Sequence, residues 1–184
     1  MEDTRRRITE AAMELHGSVG PARTTVTAVA ERAGVQRHTV YRHFPTDDEM
    51  FVACSGHFAE LHPWPDQREW RAIEDPRERL AVGLDELYRY YEDAGYMWAR
   101  ILRDRELNDT VERHLGPFND YVAGAARVLA AGWGARGNRK KVVDAAVRHA
   151  VDFGTWQSLA GEGLITRAQA VKLMTALVDT AAES

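Results

Sequence analysis

Apolar residues recur at spacings of three and four along most of the chain, and no stretch alternates strictly between apolar and polar residues as a half-buried strand would. The first such stripe predicts a helix from about Thr4 to Gly17. The same spacing predicts later helices over residues 76–94, 96–107, 117–133, 139–160 and 167–182. We therefore expect an all-α fold.

Two short helices are expected between the first helix and the longer ones. One follows Thr25 and ends at Gly34, where a left-handed residue is favourable, and the other covers about residues 36–43 and stops before Pro45. Their apolar positions, which should face a common core, are Val29, Ala30, Ala33, Val40 and Phe44. A helix followed by two short helices joined at a glycine is the outline of a helix-turn-helix.

A longer helix is predicted to begin directly after these short ones. Thr46 and Glu49 have the spacing of a capping box, in which the threonine hydroxyl accepts from the backbone N–H three residues later. Asp47 and Asp48 suit the positive end of a helix dipole. The proline-rich stretch of residues 62–66 should interrupt or kink this helix.

The charge of the chain is unevenly distributed. Its formal net charge is -4, yet residues 1–45 contain seven arginines and five acidic residues, a net of +2. The remaining 17 basic and 23 acidic residues give -6. The N-terminal part is therefore the part expected to meet an anionic partner.

The outer face of the second short helix carries hydrogen-bond donors. Counting 100° per residue from buried Val40 places a set of polar side chains outside: Arg37, His38, Thr39, Tyr41 and Arg42. Arginine can donate to guanine O6 and N7, and threonine and tyrosine hydroxyls can bind phosphates. Thr25 and Thr27 stand at the start of the preceding helix, where backbone N–H groups also favour an anion. The pattern predicts DNA binding.

Residues 24–51, TTVTAVAERAGVQRHTVYRHFPTDDEMF, resemble the DNA-binding signature of the TetR family of bacterial transcriptional regulators. The resemblance implies an N-terminal three-helix DNA-binding domain over residues 1–46 and a C-terminal helical bundle over residues 47–184 that dimerises and binds a small molecule. By position it implies base contacts from Thr27, Arg37, His38 and Arg42, and backbone contacts from Thr25, Thr39, Tyr41 and His43. Asp47 departs from the family pattern, which usually has a phosphate-contacting lysine there. Arg5, Arg6 and Arg7 are expected to form a loose arm that attracts phosphates.

Small residues in the predicted helix 139–160 suggest a close helix contact. Ala146, Ala150 and Gly154 repeat every four residues, and the last helix presents Met174, Leu177 and Val178. We interpret these six residues as a homodimer interface, although the contacting helix could belong to the same chain.

Aromatic residues in the C-terminal part are candidates for the small-molecule pocket that the resemblance implies. They are Tyr88, Tyr91, Trp98 and Trp156, with His149 and Asp152 placed to orient a polar group of the ligand. The alternative is that aromatic residues at helical spacing form the hydrophobic core.

Several functions are not expected. The sequence has no Cys/His cluster with metal-ligand spacing, no glycine-rich phosphate loop and no Ser-His-Asp set, so we expect neither an enzyme nor a metal or cofactor. With no run of 18 apolar residues and no signal-peptide core, a cytoplasmic protein without membrane contact is expected. The single Cys54 should be a small buried side chain.

The sequence thus favours a dimeric repressor that binds a palindromic operator in double-stranded DNA and is released by a small apolar or aromatic ligand. Two alternatives remain open. The chain could bind DNA but respond to another protein or to no ligand, or it could be a ligand-binding helical protein with weakened or altered DNA binding, to which Asp47 points.

Overall fold

Residues 2–183 of the chain are described by a computed structural model, and they form α-helices and no strand. The helices are α1 (Glu2–Ser18), α2 (Val26–Ala33), α3 (Arg37–His43), α4 (Asp47–Leu61), α5 (Gln67–Arg71), α6 (Pro76–Asp104), α7 (Asp109–His114), α8 (Gly116–Leu129), α9 (Gly137–Val151), α10 (Phe153–Trp156) and α11 (Arg167–Glu183). Single turns at Pro21–Arg23 and Gln157–Gly161 are wound as 3-10 and π helix. The predicted all-α fold is confirmed.

The chain folds as two compact units. The first comprises the residues up to Pro63 together with Tyr96–Gly116, and the second comprises Trp64–Gly95 and the residues from Pro117 onward. Helix α6 contributes residues to both. The predicted functional boundary after residue 46 stays a prediction.

The first unit is built around a small core under α1. Apolar side chains from α1, α2, α3 and α4 converge there because each helix carries them at three- and four-residue spacing. The buried members are Ile8, Ala11, Ala12, Val29, Ala30, Ala33, Val40, Phe44, Met50 and Cys54. This core fixes the positions of the two short helices.

The C-terminal end of α1 is held by the last turns of α6. Gly17 allows close approach, since a Cβ added there would lie 2.6 Å from the Tyr96 ring. Arg100 donates to the Ser18 carbonyl at 2.5 Å, and Arg103 donates to the Val19 carbonyl at 2.9 Å. These bonds satisfy carbonyl groups that a helix end leaves without partners.

The second unit has a larger core. Helix α9 packs against α11 of the same chain, and large side chains from α5, α6 and α8 are fully buried. They include Trp70, Leu80, Leu84, Leu87, Tyr88, Tyr91 and Leu129.

Two of the predicted helix bounds are wrong. Residues 76–94 and 96–107 were expected as separate helices, but α6 continues through Gly95 because the missing side chain makes room for the Trp156 ring, 2.8 Å from where a Cβ would stand. The predicted helix 139–160 ends at Val151. There Asp152 takes an extended backbone, and its carboxylate accepts from the Gly154 N–H at 2.8 Å and so begins α10.

Candidate nucleic-acid interface

The turn between α2 and α3 has the geometry that the sequence predicts. Gly34 has a φ of 64° and a ψ of 41°, a left-handed conformation that glycine adopts without steric cost. The Gly34 N–H donates to the Glu31 carbonyl at 3.1 Å and the Val35 N–H to the Ala30 carbonyl at 2.9 Å. This closed turn sets the direction in which α3 leaves α2.

The start of α2 presents two exposed threonines. Thr25 is the N-cap, and its hydroxyl oxygen accepts from the Ala28 N–H at 3.2 Å. The hydroxyl hydrogen remains able to donate to a phosphate oxygen. Thr27 lies exposed in the first turn of the same helix.

The outer face of α3 is polar and accessible. Arg37, His38 and Arg42 are exposed, Tyr41 is 48% exposed, and Thr39 is partly buried. Neither Arg37 nor Arg42 has a hydrogen-bond or ion-pair partner among residues 2–183. Two guanidinium groups on one short helix are therefore free for an external acceptor.

The arginines of α1 have a different role. Arg5 donates to the His43 carbonyl at 2.8 Å and stacks over the Phe44 ring, 4.2 Å from its centroid. Arg7 donates to the carbonyls of Ala33 and Gly34, and Arg6 pairs with acidic residues of its own helix. The expectation of a loose phosphate-attracting arm is wrong, because Arg5 and Arg7 donate hydrogen bonds to carbonyl groups at the ends of α3 and α2.

His43 occupies the last turn of α3, with its ring partly buried. Its Nε2 atom is inaccessible to solvent and has no partner among the described residues. The predicted backbone contact from this side chain would require the ring to turn outward. It stays a prediction.

The start of α4 confirms the predicted cap. Its first two acidic residues, Asp47 and Asp48, differ in their contacts. The Thr46 hydroxyl accepts from the Glu49 N–H at 3.2 Å. Asp47 is exposed, whereas the Asp48 carboxylate accepts from Arg113 at 2.8 Å and lies 3.2 Å from His114 Nε2. The hydrogen bond from Arg113 lowers the pKa of Asp48, and so does the contact with His114.

Residues 8–54, which contain this helix-turn-helix, match the family model described as bacterial regulatory proteins, tetR family. This part of the chain is similar to the DNA-binding part of TetR-family regulators. In sequence it is 37% identical over 78 residues to the HTH-type transcriptional regulator SrpR from Pseudomonas putida, a match that covers 39% of this chain and 37% of that protein. An uncharacterized HTH-type transcriptional regulator, TtgW, also from P. putida, is 36% identical over 78 residues, covering 39% of this chain and 58% of its own length. The chain thus spans less than two thirds of either relative.

Solved structures share the TetR fold over nearly the whole chain. A TetR-like transcriptional regulator from Rhodococcus sp. RHA1 is 18% identical with a TM-score of 0.65, covering 95% of this chain and 93% of that one. A TetR transcription regulator from Haloarcula marismortui is 16% identical with a TM-score of 0.62, covering 100% and 98%. A protein from Saccharomonospora viridis, solved in complex with choline, is 19% identical with a TM-score of 0.61, covering 97% of each chain.

The aromatic residues predicted to line a TetR ligand pocket are packed within their units. Tyr88 and Tyr91 are fully buried, and their hydroxyls donate to the carbonyls of Ala150 and Val151 at 2.7 and 3.0 Å. The Trp156 ring lies against Tyr91 with centroids 5.6 Å apart, and its Nε1 has no partner among the described residues. These three side chains are buried in the second unit, and their role in a ligand pocket stays a prediction.

The other predicted ligand residues lie in different surroundings within their own units. Trp98 belongs to the first unit and packs edge-on against Phe58. His149 and Asp152 are both exposed, but Asp152 lies beyond the end of α9 and caps α10, while His149 Nδ1 is 3.2 Å from the Thr155 hydroxyl. The two residues were expected to form a pair because a continuous helix would place residues three apart on one face. The helix instead ends at Val151, before Asp152.

Most of the predicted dimer residues face the inside of the chain. Ala146, Ala150, Met174 and Val178 are buried where α9 and α11 of one chain pack together. Gly154 is exposed but lies outside α9, and Leu177 is 40% exposed on α11. The alternative that the contacting helix belongs to the same chain holds for α9 and α11.

No helix among residues 2–183 is long and apolar enough to cross a membrane, and no group of three or more His, Cys, Asp or Glu within that range could hold a metal ion. Burial raises the pKa of the Cys54 thiol to about 12, so this side chain is an unreactive member of the core.

Proposed function

We propose that the chain is a sequence-specific DNA-binding transcriptional regulator that inserts α3 into the major groove. The observation that carries this proposal is the pair of unpartnered guanidinium groups, Arg37 and Arg42, on the exposed face of α3. Arginines elsewhere in the first unit, such as Arg5, Arg7 and Arg32, are held by carbonyl or carboxylate groups of the chain. This contrast with Arg5, Arg7 and Arg32 supports a recognition role for the two unpartnered guanidinium groups of α3.

The roles of single residues follow from their chemistry. Arg37, His38 and Arg42 would contact base edges, because a guanidinium can donate two parallel hydrogen bonds to guanine. Thr27 would reach an adjacent base. The hydroxyls of Thr25, Thr39 and Tyr41, with His43 if its ring turns, would donate to phosphates and fix the register of α3 on the duplex.

We further propose that the regulator is a homodimer bound to a palindromic operator. Two recognition helices in successive major grooves must be about 34 Å apart, which a two-fold axis provides. Leu173 and Leu177 lie on one exposed face of α11 at a spacing of four residues, and Val142 of α9 is 50% exposed. These residues replace the buried alanines as the proposed dimer surface.

The proposed regulation is release of a repressor by a small apolar or aromatic ligand. Such a ligand would bind better to a dimer whose recognition helices are wrongly spaced for DNA, and operator affinity would fall by the same coupling free energy. The choline complex of the S. viridis protein supports the idea that a protein of this fold can hold a small molecule.

Gel shifts of the purified chain against DNA flanking its own gene test the function. A salt-sensitive and sequence-selective complex is expected. Arg42→Ala should weaken that complex by about 1 to 3 kcal/mol and relax base choice at one position, because it removes a bidentate base contact. Arg6→Ala is the matched control, since Arg6 is exposed but pairs with acids of α1.

Two outcomes would contradict parts of this proposal. Absence of any selective complex would favour a ligand-binding protein with weakened or altered DNA binding. Equal weakening by Arg42→Ala on every sequence would make Arg42 a phosphate contact instead of a base contact.

A further inference from the structure

A strongly basic segment runs from the end of α8 to the last turn of α9, within the second unit. Residues 127–148 contain six basic residues and one acidic residue, a net charge of +5 in a chain whose net charge is -4. The acid, Asp144, pairs with Lys140 at 2.6 Å. Arg127 and Arg148 are exposed, and neither lies within 4 Å of a carboxylate among residues 2–183. This excess of positive charge attracts anions.

The basic segment encloses a groove. Its volume is about 380 Å³, at the lower end of the range for small-molecule pockets, and it is lined by α8, the following glycine-rich loop and α9. Arg127, Lys140 and Arg148 line it together with Asp144, which leaves a net lining charge of +2. The remaining lining is mostly alanine, with the partly buried Trp133 ring fixed by a hydrogen bond from its Nε1 to the Leu129 carbonyl at 3.0 Å.

The start of α9 adds to the positive potential beside the groove. Its N-cap, Arg136, makes no side-chain capping bond, and the first turn contains no acidic residue. Helix N-termini favour negative charge, yet the sequence places Arg139, Lys140 and Lys141 there. Basic side chains in the first turn of a helix are electrostatically unfavourable, because they face the positive end of the helix dipole. A bound anion would offset this repulsion.

A buried arginine lies behind the wall of the groove. Arg79 is 8% exposed and donates to the carbonyl of Ala131, a lining residue, at 2.7 Å. Its Nε has no hydrogen-bond partner among residues 2–183, and no carboxylate in that range pairs with it. Because burial reduces screening by solvent, this uncompensated charge raises the potential in the groove more than a surface arginine would.

We propose that this groove binds a small organic carboxylate, with the carboxylate held by Arg127, Lys140 and Arg148 and an apolar or aromatic body against Trp133. A guanidinium matches a carboxylate with two parallel hydrogen bonds, and the alanine-lined floor leaves space for a flat ring. Binding of the carboxylate is independent of DNA. Its use as the signal that releases the operator rests on the proposed function.

Calorimetry on the full chain with para-bromobenzoate, compared with the neutral para-bromobenzamide, tests the site. The benzoate should bind at least about tenfold more tightly, and added NaCl should weaken it, because the contacts are ionic. Arg127→Gln combined with Arg148→Gln should lower its affinity by at least about tenfold. Lys172→Gln, which removes an exposed charge on α11 outside the lining, should change it by less than about twofold. Thermal melting checks that each variant is folded, and bromine anomalous scattering in soaked crystals should place the probe beside Trp133.

Three calorimetric results would overturn the proposal. They are equal affinity for the two probes, unchanged benzoate affinity in the double variant, and no benzoate binding up to about 10 mM. A bromine position outside the groove would also overturn it. Failure of the chain to bind any DNA would leave these measurements unaffected and would count only against the proposed function.

Discussion

Asp47 places a negative charge beside the proposed DNA-binding face. It is exposed at the first residue of α4, whereas neighbouring Asp48 is bound by Arg113. An exposed carboxylate near a phosphate repels it, and a lysine would attract it. Asp47→Lys should therefore tighten DNA binding severalfold on all sequences and steepen the salt dependence by about one unit, measured by gel shifts at several salt concentrations.

The matched control for this substitution is Glu60→Lys. Glu60 is exposed at the far end of the same helix, so the same charge change there should have a smaller effect. An equal gain in DNA affinity from both variants would mean that the net charge of the chain, and not the position of Asp47, determines the effect. No gain from Asp47→Lys would mean that the start of α4 does not approach the DNA backbone.

His16 makes the stability of the first unit dependent on pH. The side chain is 6% exposed, its Nδ1 is 3.3 Å from Cys54 Sγ, and burial lowers its pKa from 6.5 to about 4, partly opposed by Asp104. Well above pH 6.5 the imidazole is neutral in the folded and unfolded states. Between pH 6.5 and about 4 the unfolded chain binds a proton that the folded chain does not, so the free energy of unfolding falls as pH falls through this range.

Urea unfolding at pH 6.5 and pH 5 measures this contribution. Between these pH values the free energy of unfolding of the wild-type chain should fall by about 1 to 2 kcal/mol more than that of His16→Gln. This stays within the limit of about 1.4 kcal/mol per pH unit for one proton. His38→Gln should behave like wild type, because His38 is exposed on α3. A His16→Gln variant with an unchanged pH dependence would show that the imidazole binds a proton as readily in the folded chain as in the unfolded chain.

At the scale of elements, the end of α9 depends on two buried hydroxyls. The last carbonyls of a helix have no partner within it, and here the Tyr88 and Tyr91 hydroxyls donate to those of Ala150 and Val151. Tyr88→Phe should lower the free energy of unfolding by about 1 to 3 kcal/mol, because it leaves a buried carbonyl unpaired. Tyr41→Phe, on an exposed side chain, should change it by less than about 0.5 kcal/mol. Equal effects of the two substitutions in denaturant melts would mean that water replaces the Tyr88 hydroxyl.

Helix bounds set by neighbouring residues were predictable from the sequence. Gly34 ends α2 and Thr46 caps α4 as expected, since both effects act within four residues. The exposed polar face of α3 was predictable for the same reason. The helical period and one buried position, Val40, are enough to assign which side chains point outward. Two short helices were missed. Their N-caps, Asp66 and Asn108, were the available signals, but five and six residues are too few to show periodicity.

Features set by distant residues were not predictable in this way. The continuity of α6 depends on Gly95 meeting Trp156, and the end of α9 depends on tyrosines about 60 positions earlier in the chain. The contacts of Arg5 and Arg7 with the ends of α3 and α2 cross 38 and 26 positions. Periodicity identifies which side of a helix is buried, but it does not identify the helix that covers it.

At the scale of the whole molecule, periodicity shows that a helix face is buried but not which helix covers it. This explains why residues that pack within one chain were predicted as a dimer surface. Small residues on α9 indicated a close helix contact, and α11 of the same chain provides it. What remains for the proposed second copy is the flank of α11 beside its buried stripe, where Leu173 and Leu177 are 48% and 40% exposed. Large apolar side chains repeated on one exposed helix face are typical of an association surface.

Leu173→Glu combined with Leu177→Glu should therefore convert a dimer into a monomer. Two charges opposite their own symmetry mates would be desolvated and would repel each other across a two-fold interface. Sedimentation should show wild-type particles of twice the chain mass of 20.7 kDa and variant particles of that mass. Leu164→Glu, on a side chain that is 74% exposed outside α9 and α11, should remain dimeric. The monomer should also bind the operator at least about tenfold more weakly, because it engages one half-site alone. A monomeric wild-type chain, or a double variant that stays dimeric, would remove this face of α11 as the dimer surface.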